Sequence, residues 1–266
     1  MRAVFLDLDG TLHCSESGFH PQDLQTLMTL RDQRVLRVIV TGRSLYTARK
    51  LLDLDFPIDY LLFSSGAGVV HWQSQNLLAQ HHLEAAEIAQ IVTCCRQLKA
   101  DYMLQAPVPE NHLFWYEQHS LANLDFARRI QLYPGLGQKL LELPLQCSQA
   151  LVIAPPNNLK ALQSRLQIEL PALSHIRSTS PLDKASAWLE IFPAHVSKAQ
   201  AAERLCQELG IQQHMAIGND HNDTDLLAWA QHGFVVSDAP VTLLQRHTVV
   251  PPPRQAGFSE AIRLWN

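Results

Sequence analysis

The chain opens with an apolar run, Ala3-Val4-Phe5-Leu6, that passes without a spacer into Asp7-Leu8-Asp9-Gly10-Thr11. A short, unbroken apolar run reads as a strand buried on both faces, the condition of a strand inside a parallel sheet. Parallel neighbours must be joined by crossovers, usually helices, so this run implies alternating β and α elements. In an open α/β sheet, the loop at a strand's carboxyl end faces the ligand crevice. Two acids therefore stand at the position where such a sheet does its chemistry.

The alternation follows. Pro21 suits the first turn of a helix on which Leu24, Leu27 and Met28 recur at helical spacing. Val35 to Val40 reads as a second strand, residues 44–54 as a helix and Tyr60 to Phe63 as a third strand. From Leu83 to Arg177 the pattern changes. Helices are expected over 85–98 and 121–132, strands over 102–106 and 149–154, and a further helix from Asn157 or Asn158 to about Leu170. The apolar segment Trp188–Phe192 reads as the return of the alternation. It is followed by a helix over 197–209 closed by Gly210, then by strands over 215–217 and 234–236. The expected fold is α/β. A doubly wound, Rossmann-like parallel sheet is formed by 1–82 and 181–266, with an α+β domain inserted at 83–180.

Composition narrows the class of partner. Hydrophobic residues make up 47% of the 266, enough for a sizeable core, and the formal net charge is −4. That balance argues against a general nucleic-acid binder but leaves room for a small anionic ligand at a local positive site. No segment approaches the roughly 20 apolar residues of a membrane span, so no membrane partner is expected. The five cysteines, Cys14, Cys94, Cys95, Cys147 and Cys206, form no CxxC pair and are odd in number. They read as free thiols of a reducing cytoplasm. No motif sets an oligomeric state.

Four constellations carry chemistry. In Asp7-Leu8-Asp9-Gly10-Thr11, acids two residues apart suit a division of labour: one carboxylate attacks phosphorus and binds metal, and the other donates a proton to the leaving oxygen and later activates water. A calcium loop would need Asp or Asn at 11 and Gly at 12, where Thr11 and Leu12 stand. Thr41-Gly42-Arg43 follows the second strand, where a hydroxyl and a free N–H at a helix start can hold phosphate oxygens or merely cap the helix. Lys198 opens a helix against the dipole preference, a cost that a phosphate or a carboxylate cluster would offset. Gly218-Asn219-Asp220-His221-Asn222-Asp223 supplies the oxygen-rich side chains that Mg²⁺ takes, or an Asn/Asp turn capping the next helix.

Together these motifs resemble the haloacid dehalogenase-like phosphatases, specifically the Cof-type branch with a large α/β cap. The small-residue turn Ser64-Ser65-Gly66-Ala67 is similar to that family's turn after the third core strand. The resemblance implies an inserted cap at 83–180 and a Mg²⁺-dependent phosphatase acting on a small phosphorylated metabolite, with sugar phosphates as the family expectation. It implies Asp7 as nucleophile and Asp9 as general acid/base, with the Asp7 carboxylate and Asp9 carbonyl on Mg²⁺. It further implies Thr41, Gly42 and Lys198 on the phosphoryl group with Asn222 assisting, and Asp223 orienting Lys198 or a metal-bound water. The sequence departs from the family at Asn219, where an Asp is usual. Asn219 is the expected third metal contact, with the neighbouring Asp220 as its rival. In the cap, Tyr102, His112, Trp115, Tyr116 and Arg128 are candidate specificity residues, with core packing as the competing role for the aromatics. Two other functions share these motifs: a phosphomutase or phosphotransferase using the same phosphoaspartate, and a ligand-binding homologue without turnover.

Overall fold

The run Arg2–Leu6 forms a strand near the middle of an eight-stranded sheet, and all of its side chains but the first are buried. The computed structural model describes residues 1–180 and 182–266. The sheet order is Thr248–Val250, His232–Val236, Gln213–Gly218, Arg2–Leu6, Val35–Val40, Tyr60–Phe63, Gly68–His71 and Asn76–Gln80. The first six run parallel, and Gly68–His71 returns antiparallel against Tyr60–Phe63. Leu6 pairs with both Ile217 and Ile39, and Val40 pairs with Leu62. These registers bring the carboxyl ends of four strands level, at Asp7, Thr41, Ser64 and Asn219. That alignment is the crevice geometry of a doubly wound sheet.

The chain divides into two compact units. The first comprises Met1–Arg43, Thr47–Ala79 and Ser197–Asn266, and the second Ser44–Tyr46 and Gln80–Val196. Helix Leu45–Arg49 is shorter than the expected 44–54. The chain turns at Leu51 and Leu52 on the Ala48 carbonyl, ahead of the helix-breaking sequence Asp53 to Pro57.

The second unit holds a six-stranded sheet in the order Gly137–Lys139, Phe114–Glu117, Tyr102–Gln105, Gln149–Ala154, Ala187–Phe192 and Ser174–Thr179. Residues alternate between its faces. Leu104, Ala150, Val152, Leu189 and Ile191 pack with helices Ala85–Gln97 and Leu159–Glu169. Met103, Leu151, Ile153 and Trp188 pack with Phe126 and Ile130 of helix Leu124–Gln131.

This corrects one expectation. Ala187–Phe192 does not return to the parallel sheet but pairs antiparallel with Gln149–Ala154 and Ser174–Thr179. An apolar run buried on both faces is equally demanded by an inner antiparallel strand covered by helices on each side, so composition did not separate the two. The chain re-enters the first unit at Ser197, and the expected boundary at 181 lies outside the described residues.

The C-terminal helix Gly257–Trp265 starts after Ala256, a residue with no capping oxygen. Asp23, on helix Pro21–Asp32, supplies one in trans. Its Oδ1 accepts from Ser259 N–H at 2.8 Å and from Ser259 Oγ at 2.6 Å. The carboxylate at a helix N-terminus also meets the positive end of the dipole. Asp23 is fully buried, so Asp23→Ala leaves these donors without water. We expect it to lower the unfolding free energy by about 2 kcal/mol in urea denaturation.

Candidate active site

The site lies in the first unit and is organised around a buried cation. Lys198 is the first residue of helix Lys198–Leu209 and is 0% exposed. Its Nζ donates to Asp7 Oδ1 at 2.6 Å and to Asp223 Oδ1 at 2.6 Å. An ammonium taken out of water this completely is stable only with such partners. Burial works against its charge, but Asp223 and Asp7 outweigh that and hold its pKa above the ordinary lysine range. The helix start that carries it is fixed twice over: Ser197 Oγ accepts from Gln200 N–H, and Asp225 Oδ2 accepts from Ala199 N–H.

Asp7 extends the strand by one hydrogen bond, from its N–H to the Ile217 carbonyl at 3.0 Å. Burial and the nearby Asp223 carboxylate push its pKa up to about 7 despite Lys198. Only its Oδ1 is engaged among the described residues, so Oδ2 remains available to a ligand. Asp223 is fully committed. Oδ1 takes Lys198, and Oδ2 accepts the backbone N–H groups of Asn219 and Asp220 at 2.9 and 3.0 Å. Its geometry therefore fits orienting Lys198 and shaping the 218–223 turn better than direct metal ligation.

The two rivals in that turn are placed differently. Asp220 caps the short helical turn His221–Asp223 with its own carboxylate, in a reciprocal box with Asp223. The Asn219 carboxamide instead occupies the space beside Gly10 that a Cβ there would fill. Gly10 is thus required twice, for its φ of 82° and for this close approach. The contact brings Asn219 to the Asp7–Thr11 loop. A buried carboxylate with a free oxygen and a carboxamide beside the same loop form an oxygen donor set that fits a hard divalent cation.

Thr41, 1% exposed, ends its strand with its N–H on the Leu62 carbonyl, and its Oγ1 accepts from Arg43 N–H at 3.1 Å. Gly42 is exposed and is flanked by Asn222 and Ser65: a Cβ there would lie 3.9 Å from Asn222 Nδ2 and 3.8 Å from Ser65 Oγ. The structure thus gathers Asp7, Asp9, Thr41, Gly42, Lys198, Asn219, Asn222 and Asp223 at one end of the sheet.

Arg43 belongs to the Thr41-Gly42-Arg43 motif, and the sequence assigns it no role. It forms a two-pronged ion pair with Asp9, Nε to Oδ2 at 2.6 Å and an Nη to Oδ1 at 2.7 Å. Such a fork fixes the orientation of a half-exposed carboxylate. A basic residue directly after the Thr41-Gly42 turn is the signal the sequence offers.

The candidates in the second unit fare differently. Tyr102 is 0% exposed, and its hydroxyl donates to Glu117 Oε2 at 2.9 Å. It is a core residue. Trp115 and Tyr116 pack against the clusters on opposite faces of the sheet, as neighbours on a strand must. His112 stacks on Tyr46 with ring centroids 4.3 Å apart, and Arg128 is exposed on helix Leu124–Gln131.

The family model of haloacid dehalogenase-like hydrolases matches residues 4–262. The chain belongs to this family. The match runs through every motif described above. Among curated relatives, 5-amino-6-(5-phospho-D-ribitylamino)uracil phosphatase YwtE of Bacillus subtilis is 24% identical, over 94% of this chain and 92% of its own. HMP-PP phosphatase of Serratia proteamaculans is 25% identical, over 97% and 91%. Among solved structures, a phosphatase of the haloalkanoate superfamily from Bacteroides thetaiotaomicron superposes with a TM-score of 0.82 at 18% identity, covering 100% of this chain and 95% of its own. A subclass IIB sugar phosphatase superposes at 0.76 and 16% identity, covering 99% and 98%. This hydrolase therefore shares its whole-chain fold with both. Among its described residues, no helix is long and apolar enough to cross a membrane.

Proposed function

We propose that this hydrolase is a Mg²⁺-dependent phosphatase that cleaves a small phosphorylated metabolite through a phosphoaspartate on Asp7. The observation that carries the reading is Lys198, buried between Asp7 and Asp223 where the strand leading to Asp7 ends next to the strand leading to Thr41. A fixed ammonium there offsets the charge of an anionic nucleophile and of phosphoryl oxygens approaching it. In the first step Asp7 attacks phosphorus, the bond to the ester oxygen breaks, and Asp9, swung out of its ion pair with Arg43 and protonated, delivers a proton to the leaving oxygen. In the second, Asp9 takes a proton from water, the water oxygen attacks phosphorus, and the aspartyl–phosphate bond breaks to release phosphate and restore Asp7. Thr41 Oγ1, Gly42 N–H and Asn222 hold the phosphoryl oxygens. Asp7, the Asp9 carbonyl and Asn219 would hold Mg²⁺, which supplies charge neutralisation when bound.

Relatives named as phosphatases of 5-amino-6-(5-phospho-D-ribitylamino)uracil and of HMP-PP, and the subclass IIB sugar phosphatase, support a small phosphorylated metabolite, with sugar phosphates the first class to test. The unit spanning Gln80–Val196 is the substrate-selecting cap in this reading. Its open candidates are His112 and Arg128. The absence of any transmembrane helix among the described residues is compatible with a cytoplasmic enzyme.

The test is a screen of phosphorylated metabolites with Mg²⁺, following phosphate release. Free phosphate from a single substrate, lost on chelation, supports the reading; full turnover after exhaustive chelation overturns it. A Mg²⁺ titration then separates the metal contacts. Asn219→Ala is expected to raise the Mg²⁺ needed for half activity by about tenfold or more, and Asp220→Ala to change it little. The reverse ordering would assign the contact to Asp220.

A further inference from the structure

Three consecutive residues after strand Tyr60–Phe63 are left-handed: Ser64 at φ 48°, Ser65 at 54° and Gly66 at 96°. All three are buried. Two non-glycine residues in this region are intrinsically unfavourable, and they persist only where their surroundings dictate the conformation. Those surroundings are the catalytic motifs themselves. Ser64 N–H donates to the Arg43 carbonyl at 2.8 Å, and Ser65 N–H to the Thr41 carbonyl at 2.9 Å. The Thr41–Arg43 turn is thus held from behind by two successive amides of this left-handed segment. On its other side Gly66 lies against the start of the Lys198 helix. A Cβ there would stand 2.7 Å from the Ser197 carbonyl oxygen and 2.6 Å from Ala201 Cβ.

We propose that the Ser64–Gly66 turn is a positioning strut that sets the separation between the Thr41–Gly42 phosphate turn and Lys198. It rests on the phosphatase reading above. Thr41 and Lys198 sit on elements far apart in sequence, and this turn touches the backbone of both. Its conformation, not the Ser65 hydroxyl, performs the task; the Ser64 hydroxyl adds a long contact of 3.5 Å to the Arg43 carbonyl. Misplacing the two groups relative to each other weakens transition-state contacts more than ground-state binding.

The test separates conformation from chemistry. Ser65→Gly keeps the positive φ and deletes the hydroxyl, so its kcat is expected within about threefold of wild type. Ser65→Val and Gly66→Ala oppose the conformation or push the Lys198 helix away. Their kcat is expected to fall by about tenfold to 100-fold, with KM changed by less than about threefold. Ser65→Ala serves where either does not fold, and circular dichroism and Tm report the folded fraction. Binding of orthovanadate, which adopts the trigonal-bipyramidal geometry of a transferring phosphoryl group, is measured by calorimetry on the full chain with Mg²⁺. It should weaken in the same order, without needing turnover. The proposal is overturned if Ser65→Gly loses as much as Ser65→Val, which would assign the effect to the hydroxyl. It is also overturned if folded Gly66→Ala keeps wild-type kcat and vanadate affinity. Failure of the phosphatase reading is distinct: it would appear as turnover that survives Asp7→Asn in the unaltered turn.

Discussion

Asp7→Asn is expected to lower phosphate release by about 1,000-fold or more while leaving the protein folded. The carboxamide has nearly the shape of the carboxylate and keeps an oxygen for Lys198, so the packing around the strand end survives. What it loses is the anionic oxygen that attacks phosphorus in the proposed mechanism. Burial already makes the negative charge of Asp7 unfavourable, as its pKa of about 7 records. Removing that charge therefore does not weaken the fold in the way that removing Lys198 does. The measurement is single-substrate phosphate release at saturating Mg²⁺, with Tm alongside. A folded Asp7→Asn protein that turns over at the wild-type rate would end the phosphoaspartate mechanism.

Lys198→Met is expected to fail in both activity and stability. Its ammonium lies 2.6 Å from one oxygen of each of two buried carboxylates. Removing one partner of a buried ion pair leaves uncompensated charge and costs about 3–5 kcal/mol. Loss of the cation from the proposed phosphoryl site is expected to lower kcat by about 100-fold or more. The stability loss has a pH signature. Asp7 already has a folded pKa raised from 3.8 to about 7, and without Lys198 it rises further. A raised carboxyl pKa contributes stability that is fully present below the unfolded value and is lost as pH rises through the folded one. The variant should therefore fall further below wild type at pH 8 than at pH 5, in urea titrations without added divalent cation. A difference that shrinks with rising pH would contradict the arrangement of charges around Asp7.

Arg43 shows how a residue can be legible in type and illegible in role. Its place after Thr41-Gly42 marked it as part of a motif, yet its partner Asp9 lies 34 positions away in sequence. Nothing local encodes that ion pair. It exists because Arg2–Leu6 and Val35–Val40 pair in register and end side by side. Asn219 against Gly10 and Asp223 beneath Lys198 have the same origin.

The sequence by itself determined the local terms. An unbroken apolar run entering an acidic turn specified a buried parallel strand with its carboxylates at the crevice, because both burial and turn chemistry are short-range properties of the chain. Lysine at a helix start similarly announced a compensating anion. Only the tertiary structure decided which elements those local preferences served. Ala187–Phe192 is as apolar as a core strand, and its allegiance to the second sheet was settled by its antiparallel partners Gln149–Ala154 and Ser174–Thr179. Tyr102 was aromatic enough for a ligand pocket and was buried instead by the helices over its sheet. The left-handed Ser64 and Ser65 run against their own intrinsic preference, and hydrogen bonds to two carbonyls more than twenty residues earlier hold them there. Burial, register and forced backbone conformation are properties of the assembled sheet, so they became readable only once the strands were in place.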